Sequence, residues 1–228
     1  MKKKMTQDKI IQEGLMDKIS IIIRNKNESE YIGFAIQSCL DFFGKPEIIV
    51  IDNNSKDESL DIVQNFKNRT RIETYNVDEY RPGSSINLGV KKASNDYLLV
   101  LSAHTQLINI NFKSVKNNLE KHLAVFGKQI PIHRGKKITP GYIWSNFSDK
   151  EEVNKFSSIE NRPFLHNAFC FYKRQTLIDH PMPEKYFGKE DRYWAKDIIE
   201  KKSTYLYDPA LECYHFWTKN GATWKGLV

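Results

Sequence analysis

The sequence predicts an α/β fold: a single domain on a mostly parallel central sheet flanked by helices. Three observations carry this. Over the first 105 residues, apolar runs and stretches of helical periodicity alternate as strand, helix, strand, helix, strand, helix, strand. Such alternation implies right-handed crossovers and parallel pairing. The runs Ile19 to Ile23, Glu47 to Ile51 and Tyr97 to Leu101 are almost continuously apolar, as strands covered on both faces must be. Finally, 228 residues with 40% apolar and 12% aromatic content suffice for one sizeable core.

Residues 1–17 are polar and charged, with Ile10-Ile11 and Leu15-Met16 the apolar exceptions, and are expected to form an N-terminal extension. The domain follows over 18–217. Its first strand breaks at Arg24 into a polar loop through Asn27 and Glu28. Tyr31, Phe34, Ala35, Ser38, Cys39 and Leu40 then recur at helical spacing, stopped by Gly44 and Pro46. The second strand closes with Asp52, Asn53, Asn54, Ser55, Lys56 and Asp57. This ending is rich in side-chain acceptors and holds the N-cap of a helix through Leu60, Val63 and Phe66. Arg71 to Tyr75 is a third, half-exposed strand. Pro82-Gly83 is expected to turn, and Ser84 to cap a helix running to Ala93. The central strand from Tyr97 ends abruptly in Ser102, Ala103, His104 and Thr105. Next come a helix over 112–122 and a strand, Leu123 to Phe126, running into Gly127 to Pro131. Residues 132–162 are polar and Lys-rich, with Trp144, Phe147 and Phe156 as isolated anchors. They read as a long mobile loop or binding surface. Phe169 to Tyr172 is a strand, Asp191 to Glu200 a helix, and Thr204 to Tyr207 and Glu212 to Trp217 two closing strands. A polar tail, 218–228, ends the chain.

The net charge of +7 and pI near 9.1 favour anionic partners. Apart from Lys2 to Lys4 the charge is dispersed, so no nucleic-acid partner is expected. Lys136-Lys137 and Lys201-Lys202 read as solvated faces. Cys39, Cys170 and Cys213 fit no metal or disulfide spacing and read as small core residues in a reducing compartment. No segment approaches the roughly 18 apolar residues of a membrane span, and the N-terminus lacks the apolar run of a signal peptide. A cytoplasmic protein is expected.

Three polar endings, at Arg24 to Glu28, Asp52 to Asp57 and Ser102 to Thr105, all follow parallel strands. In open α/β sheets ligands collect in the crevice outside such carboxyl ends. His104 fits a ligand contact there, and equally a strand-ending turn whose imidazole bonds a neighbouring carbonyl. No GxGxxG or GxxxxGK[ST] loop is present, so neither a dinucleotide grip nor a P-loop is supported. Glu190 and Asp191 follow Gly188 at a helix start, where carboxylates serve as dipole partners. His215 stands between Tyr214 and Phe216 and fits plain packing as well as ligation.

Asn27-Glu28 after the first strand and Asp52-x-x-Ser55-x-Asp57 after the second resemble the nucleotide-binding half of family 2 glycosyltransferases of the GT-A fold. Arg81 to Gly89, with Gly83 and Asn87, resembles that family's Gly/Asn motif. Gly188-Lys189-Glu190-Asp191-x-x-Trp194 resembles its acidic acceptor-site motif, and Asp208-Pro209 with Tyr214-His215 its closing strand. The matches run in order from Ile19 to Trp217. The resemblance implies a GT-A-type, Rossmann-like sheet with a nucleotide-binding half over 18–105 and an acceptor-binding half over 106–217. It implies inverting transfer of a sugar from a nucleotide-diphosphate sugar, UDP- or dTDP-linked, to a hydroxyl acceptor. The acceptor would be a glycan or lipid-linked glycan in bacterial-type surface polysaccharide synthesis, with peripheral association at the inner membrane face. Donor contacts would come from Arg24, Asn27, Glu28, Asp52, Asn53, Ser55, Asp57, Gly83, Asn87, Ser102 and His104. Asp191 would take the acceptor's proton, with Glu190 orienting it or touching the donor sugar. Asn167, Lys128 and Gln129 are candidates for lining the donor-sugar pocket.

One departure matters. The family usually ends its central strand in Asp-x-Asp, whose last Asp binds a divalent ion; this chain has Ser102-Ala103-His104. Imidazole suits manganese-like ions, so Mn or Mg held by His104 and His215 is expected. A protonated His104 meeting the diphosphate directly is equally open. A nucleotidyltransferase is disfavoured by the lack of a Gly-rich, Arg-containing loop after the first strand. A non-catalytic nucleotide-sugar or glycan-binding protein is the alternative from another class.

Overall fold

The buried isoleucines of the first strand are shared between two cores, one on each face of a sheet. β1 (Ile19–Asn25), β2 (Glu47–Asp52), β3 (Ile72–Asn76) and β4 (Tyr97–Ser102) pair in parallel in the order β3-β2-β1-β4. Helices α1 (Ile32–Phe43), α2 (Ser59–Gln64) and α3 (Pro82–Lys92) make the crossovers. Because side chains alternate along a strand, Ile19, Ile21 and Ile23 join Ile32, Ile36 and Phe43, while Ile22 joins Ile86 and Val90 on the other face. The α3 approach is close: a Cβ on Gly89 would lie 2.5 Å from Cγ2 of Ile22. The computed structural model describes residues 18–138, 141–219 and 221. The extension expected over 1–17 and most of the tail over 218–228 fall outside it.

The α3 start differs from expectation. Pro82 occupies the first helical turn and Ser84 is no cap; its hydroxyl donates to the Arg81 carbonyl at 3.1 Å. Proline suits that position because its fixed φ is helical and its missing N–H would have no partner there.

Beyond β4 the sheet changes direction. The chain forms β5 (Thr105–Asn109), α4 (Phe112–Leu119), β6 (Ala124–His133), β7 (Lys136–Lys137), a 3-10 turn (Tyr142–Asn146), β8 (Glu152–Val153), β9 (Phe156–Ser157), β10 (Arg162–Pro163), β11 (Phe169–Lys173), α5 (Arg174–Asp179), α6 (Glu190–Glu200) and β12 (Leu206–Phe216). The sheet continues β4-β11-β6-β12-β5. β11 is antiparallel to both neighbours, β6 and β12 are parallel, and β5 runs antiparallel to β12. The fold is therefore mixed α/β in one domain, parallel through its first four strands.

Two further expectations change. The closing strands 204–207 and 212–217 are one strand, β12, whose register shifts between Asp208 and Glu212. Pro209 cannot donate to a ladder, and the Ala210 N–H turns to Asp208 Oδ1 at 2.9 Å, so the chain bulges and continues. The stretch 132–162 is largely docked: its first residues extend β6, β8 pairs with β12, and Trp144 and Phe147 are buried in the core beside Phe164 and Tyr207. Phe156, at 55% exposure, stays outside. The three cysteines are free and buried, and burial pushes their thiols up. Among the described residues no helix is long and apolar enough to cross a membrane.

Candidate active site

The carboxyl ends of β1 and β4 and the first turn of α6 border a cavity of about 530 Å3. Of the residues expected to act, Arg24, Glu28, Asn53, Ser102, His104, Glu190 and Asp191 line it. Asn27, Asp52, Ser55, Asp57, Gly83, Asn87 and His215 do not, nor do Lys128, Gln129 and Asn167.

Several of the residues that do not line the cavity brace the loops around it. Asp52 is fully buried; its Oδ1 accepts from Asn25 Nδ2 at 2.7 Å and Ser55 Oγ at 2.6 Å, and its Oδ2 from Ser55 N at 2.8 Å. Ser55 Oγ also accepts the Asn27 N–H at 2.8 Å, and Asn27 Oδ1 the Lys56 N–H at 2.7 Å. Asp57 accepts from Ser29 N and from Ser59 N and Oγ. Side chains expected to meet a nucleotide thus knit the loop after β1 to the loop after β2. Asn87 clamps the chain before α6: its Nδ2 donates to the Met182 carbonyl (2.9 Å) and Glu184 Oε1 (2.8 Å), and its Oδ1 accepts the Met182 N–H (2.9 Å). A Cβ on Gly83 would lie 2.4 Å from the Pro183 carbonyl oxygen, so only glycine lets that segment close on α3. Lys128 pairs with Asp149, outside the cavity.

His104 sits on the tight turn between β4 and β5. Thr105 Oγ1 donates to the Ser102 carbonyl (2.7 Å), Ala103 N to the Arg24 carbonyl (3.2 Å), and Phe216 N to the His104 carbonyl (2.9 Å). The turn is thereby tied to β1 and β12. His104 Nδ1 lies 3.1 Å from Glu28 Oε1, which also accepts Thr218 Oγ1 at 3.0 Å. Thr218, expected in the polar tail, is buried. The His215 ring is 4.9 Å from that of His104. Burial, then the neighbouring His104 and His166, hold the His215 imidazole well below the usual histidine range and therefore neutral. Two adjacent imidazoles suit a borderline divalent ion. Among the described residues, however, no three His, Cys, Asp or Glu side chains are grouped to hold a metal ion.

α6 opens after Lys189, which adopts the left-handed conformation (φ 60°), and carries both acids in its first turn. Asp191 Oδ2 accepts from Asn167 N (3.0 Å) and Arg192 Nη1 (2.9 Å), and its Oδ1 from Arg192 N (2.9 Å). Glu190 Oε1 accepts from Arg24 Nη1 at 3.2 Å and Asn167 Nδ2 at 3.5 Å. Burial, then the charge of Asp191, push the Glu190 carboxyl up despite Arg24. Asn167 is thus a strut for both carboxylates.

Sequence reasoning missed Tyr80, Glu160, His166 and Arg192, all in the cavity wall. Arg192 donates through Nη1 to Leu165 O (2.9 Å) and through Nη2 to Glu160 Oε1 (3.2 Å), with its guanidinium 4.4 Å from the Phe164 ring centroid. Its place beside the acidic pair was the available signal; nothing local marked the others. A second cavity of about 540 Å3, bordered by Phe156, Tyr193 and Lys196, shares Glu160 and Arg192 with the first.

The family model described as glycosyl transferase family 2 matches residues 20–180. Among curated relatives, a Campylobacter jejuni GalNAc(5)-diNAcBac-PP-undecaprenol beta-1,3-glucosyltransferase is 24% identical over 213 residues, 91% of this chain and 68% of that protein. The O-antigen chain rhamnosyltransferase RfbN of Salmonella typhimurium is 26% identical over 187 residues, 75% of this chain and 58% of that protein. The chain spans only part of these longer relatives. Among solved structures, S. aureus TarS 1-349 in complex with UDP-GlcNAc superposes with a TM-score of 0.66 at 19% identity, covering 92% of this chain and 62% of that one. The mannosyltransferase PcManGT from Pyrobaculum calidifontis, in complex with GDP-Man and Mn2+, gives 0.64 at 16% identity, covering 90% and 58%. These two likenesses concern the fold. The family match extends from β1 to the residue just after α5, across both the parallel half of the sheet and the strand β11 that follows it, and this chain belongs to glycosyl transferase family 2.

Proposed function

We propose that this chain is an inverting glycosyltransferase that moves a sugar from a UDP- or dTDP-type nucleotide sugar to a hydroxyl of a glycan or lipid-linked glycan, in surface polysaccharide or glycan synthesis. The observation that carries the reading is the pairing, in one cavity, of the acidic turn Glu190-Asp191 with the His104 turn. The donor would lie over the half 18–105, bounded by Arg24, Glu28, Asn53, Ser102 and His104. The acceptor would approach over the half 106–217, from the side of the second cavity. Asp191 takes the acceptor hydroxyl's proton as that oxygen attacks the anomeric carbon opposite the leaving diphosphate. Arg192 and the Asn167 N–H hold the carboxylate in one orientation, so positioning supplies much of the barrier reduction. Ser102-Ala103-His104 stands where the family places Asp-x-Asp. His104 and His215 are the residues that would hold a divalent ion, the rest of its coordination falling to the donor. Such an ion would neutralise charge on the departing diphosphate. A lipid-linked acceptor, with peripheral attachment to the membrane, is consistent with the undecaprenol-linked substrate in the name of the Campylobacter relative.

A second reading gives the base role to Glu190, because burial raises its carboxyl toward working pH while Asp191 is engaged by three donors. Glu190→Gln and Asp191→Asn separate the two. The variant lacking the base should lose about two to four orders of magnitude in turnover, with donor affinity kept within about threefold. Sugar-nucleotide screening by thermal shift identifies the donor first, and slow hydrolysis of it without acceptor marks an enzyme. A chain that binds the donor and never hydrolyses or transfers it is a binding protein, and the proposal fails.

A further inference from the structure

A backbone N–H can only donate. That of Ala168 reaches His166 Nδ1 at 3.3 Å, so this nitrogen carries a lone pair and the ring proton sits on Nε2. The Gln129 amide meets the same Nδ1 at 3.1 Å, and only its NH2 end fits against a lone pair. Its oxygen end is then fixed, 2.8 Å from His215 Nδ1, which must donate. With Nδ1 donating, the neutral tautomer of His215 is the one whose lone pair lies on Nε2. The three side chains are buried at 2%, 6% and 0% exposure for Gln129, His166 and His215, so bulk water does not compete for these bonds.

We infer that Gln129 is a positioning residue that relays the tautomer of His166, fixed by the Ala168 N–H, to His215 through opposite ends of one amide. His166 borders the cavity with its ring proton on Nε2, and His215, its ring 4.9 Å from that of His104, keeps its proton on Nδ1. The consequence for the reaction rests on the glycosyltransferase reading. In that neutral form the Nε2 lone pair repels phosphate oxygens; it can accept a hydrogen bond from a donor such as His104 or coordinate a divalent ion. His215 therefore acts on the diphosphate only through His104 or a cation. Neither its aromatic setting nor its place in the sequence separated these roles.

The test is a long-range 1H–15N spectrum of 15N-histidine-labelled full chain, assigned with His166→Asn and His215→Asn. Wild type should show His215 protonated at Nδ1 and His166 at Nε2. Gln129→Glu keeps an acceptor for His215 and should leave its Nδ1 protonated. Gln129→Met keeps the volume without either bond and should release His215 into a mixture, while Ala168 still holds His166. Donor KM should rise about tenfold in Gln129→Met, the lower range for loss of an orienting partner. A bare His215 Nδ1 in wild type, or an unchanged His215 in Gln129→Met, overturns the assignment; should Gln129→Met not fold, the wild-type spectrum decides. An unchanged donor KM beside a scrambled His215 overturns the role in donor binding. Absence of any transfer or hydrolysis would sink the glycosyltransferase reading and leave the tautomer result intact.

Discussion

Asp52→Ala separates two roles that the sequence presents as one. The buried carboxylate accepts three hydrogen bonds, from Asn25 Nδ2 (2.7 Å), Ser55 N (2.8 Å) and Ser55 Oγ (2.6 Å). Bonds to a charged acceptor are worth about 1.5–3 kcal/mol each. Removing a buried carboxylate also removes its desolvation penalty. Asn25 Nδ2 and Ser55 Oγ, 3.1 Å apart, retain one another. Ser55 N is left without its acceptor, so the net loss should be about 3 kcal/mol, in line with breaking one partner of a buried network. For a chain of this size that is a fall of about 6–12 °C in Tm. The assay is thermal unfolding of both proteins, alone and with saturating nucleoside diphosphate. Nucleotide affinity should fall less than the melting temperature suggests, because the damage is to the loop that carries Asn27 and Asn53. If Asp52→Ala melts within 1 °C of wild type and nucleotide binding is abolished, the carboxylate contacts the ligand directly and the loop-building account is wrong.

The other predictions concern charge, metal and packing. The Glu190 pKa lies above its ordinary 4.5 in the folded chain, so from about 4.5 up to the folded value the native state binds more protons than the unfolded one. Stability should therefore fall as pH rises through that window, and Glu190→Gln should flatten this part of a melting-temperature profile; an unchanged profile would place the titration elsewhere. His104→Ala should weaken donor binding and remove any stimulation by Mn2+, whereas His104→Asp restores a carboxylate ligand and should keep metal-dependent turnover. Activity of wild type in excess chelator, with His104→Asp inactive, would assign the diphosphate to a cationic imidazole instead. Gly127→Ala places a methyl 2.1 Å from Cε1 of Phe169 and should cost about 1–3 kcal/mol, read as a lowered denaturation midpoint.

The parallel half was legible because its strands are covered on both faces: Ile19, Ile21, Ile22 and Ile23 are interrupted only by the small Ser20. β5 escaped because its edge strand shows only Leu107 and Ile108 among polar neighbours, and nothing local says that β12 will pair with it. The bulge at Asp208 to Glu212 split one strand into two for a similar reason: Pro209 reads as a stop when the partner strands are unknown. At the site, Glu190, Asp191 and His104 could be placed because strand ends and helix starts converge on a crevice. Asp52 and Asn87 were placed by type and position, but a side chain's choice between ligand and loop depends on donors far along the chain, as Met182 and Glu184 are from Asn87. His166 and Arg192 lay in a wall assembled by segments that only the folded chain brings together.

β12 carries a consequence for biosynthesis. Among the described residues it is the last strand and the only strand that pairs with β5, and it supplies His215. During translation, β1 to β4 can pair as they emerge, whereas β5 must wait, its ladder groups open, for about a hundred further residues. At roughly 5–20 residues per second that wait lasts about 5–20 s. A nascent chain halted before Leu206 would hold Glu190 and Asp191 beside an unbraced His104 turn, with the edge of β5 exposed to other chains. Arrested chains of increasing length should accordingly resist protease over β1 to β4 well before the His104 turn is protected.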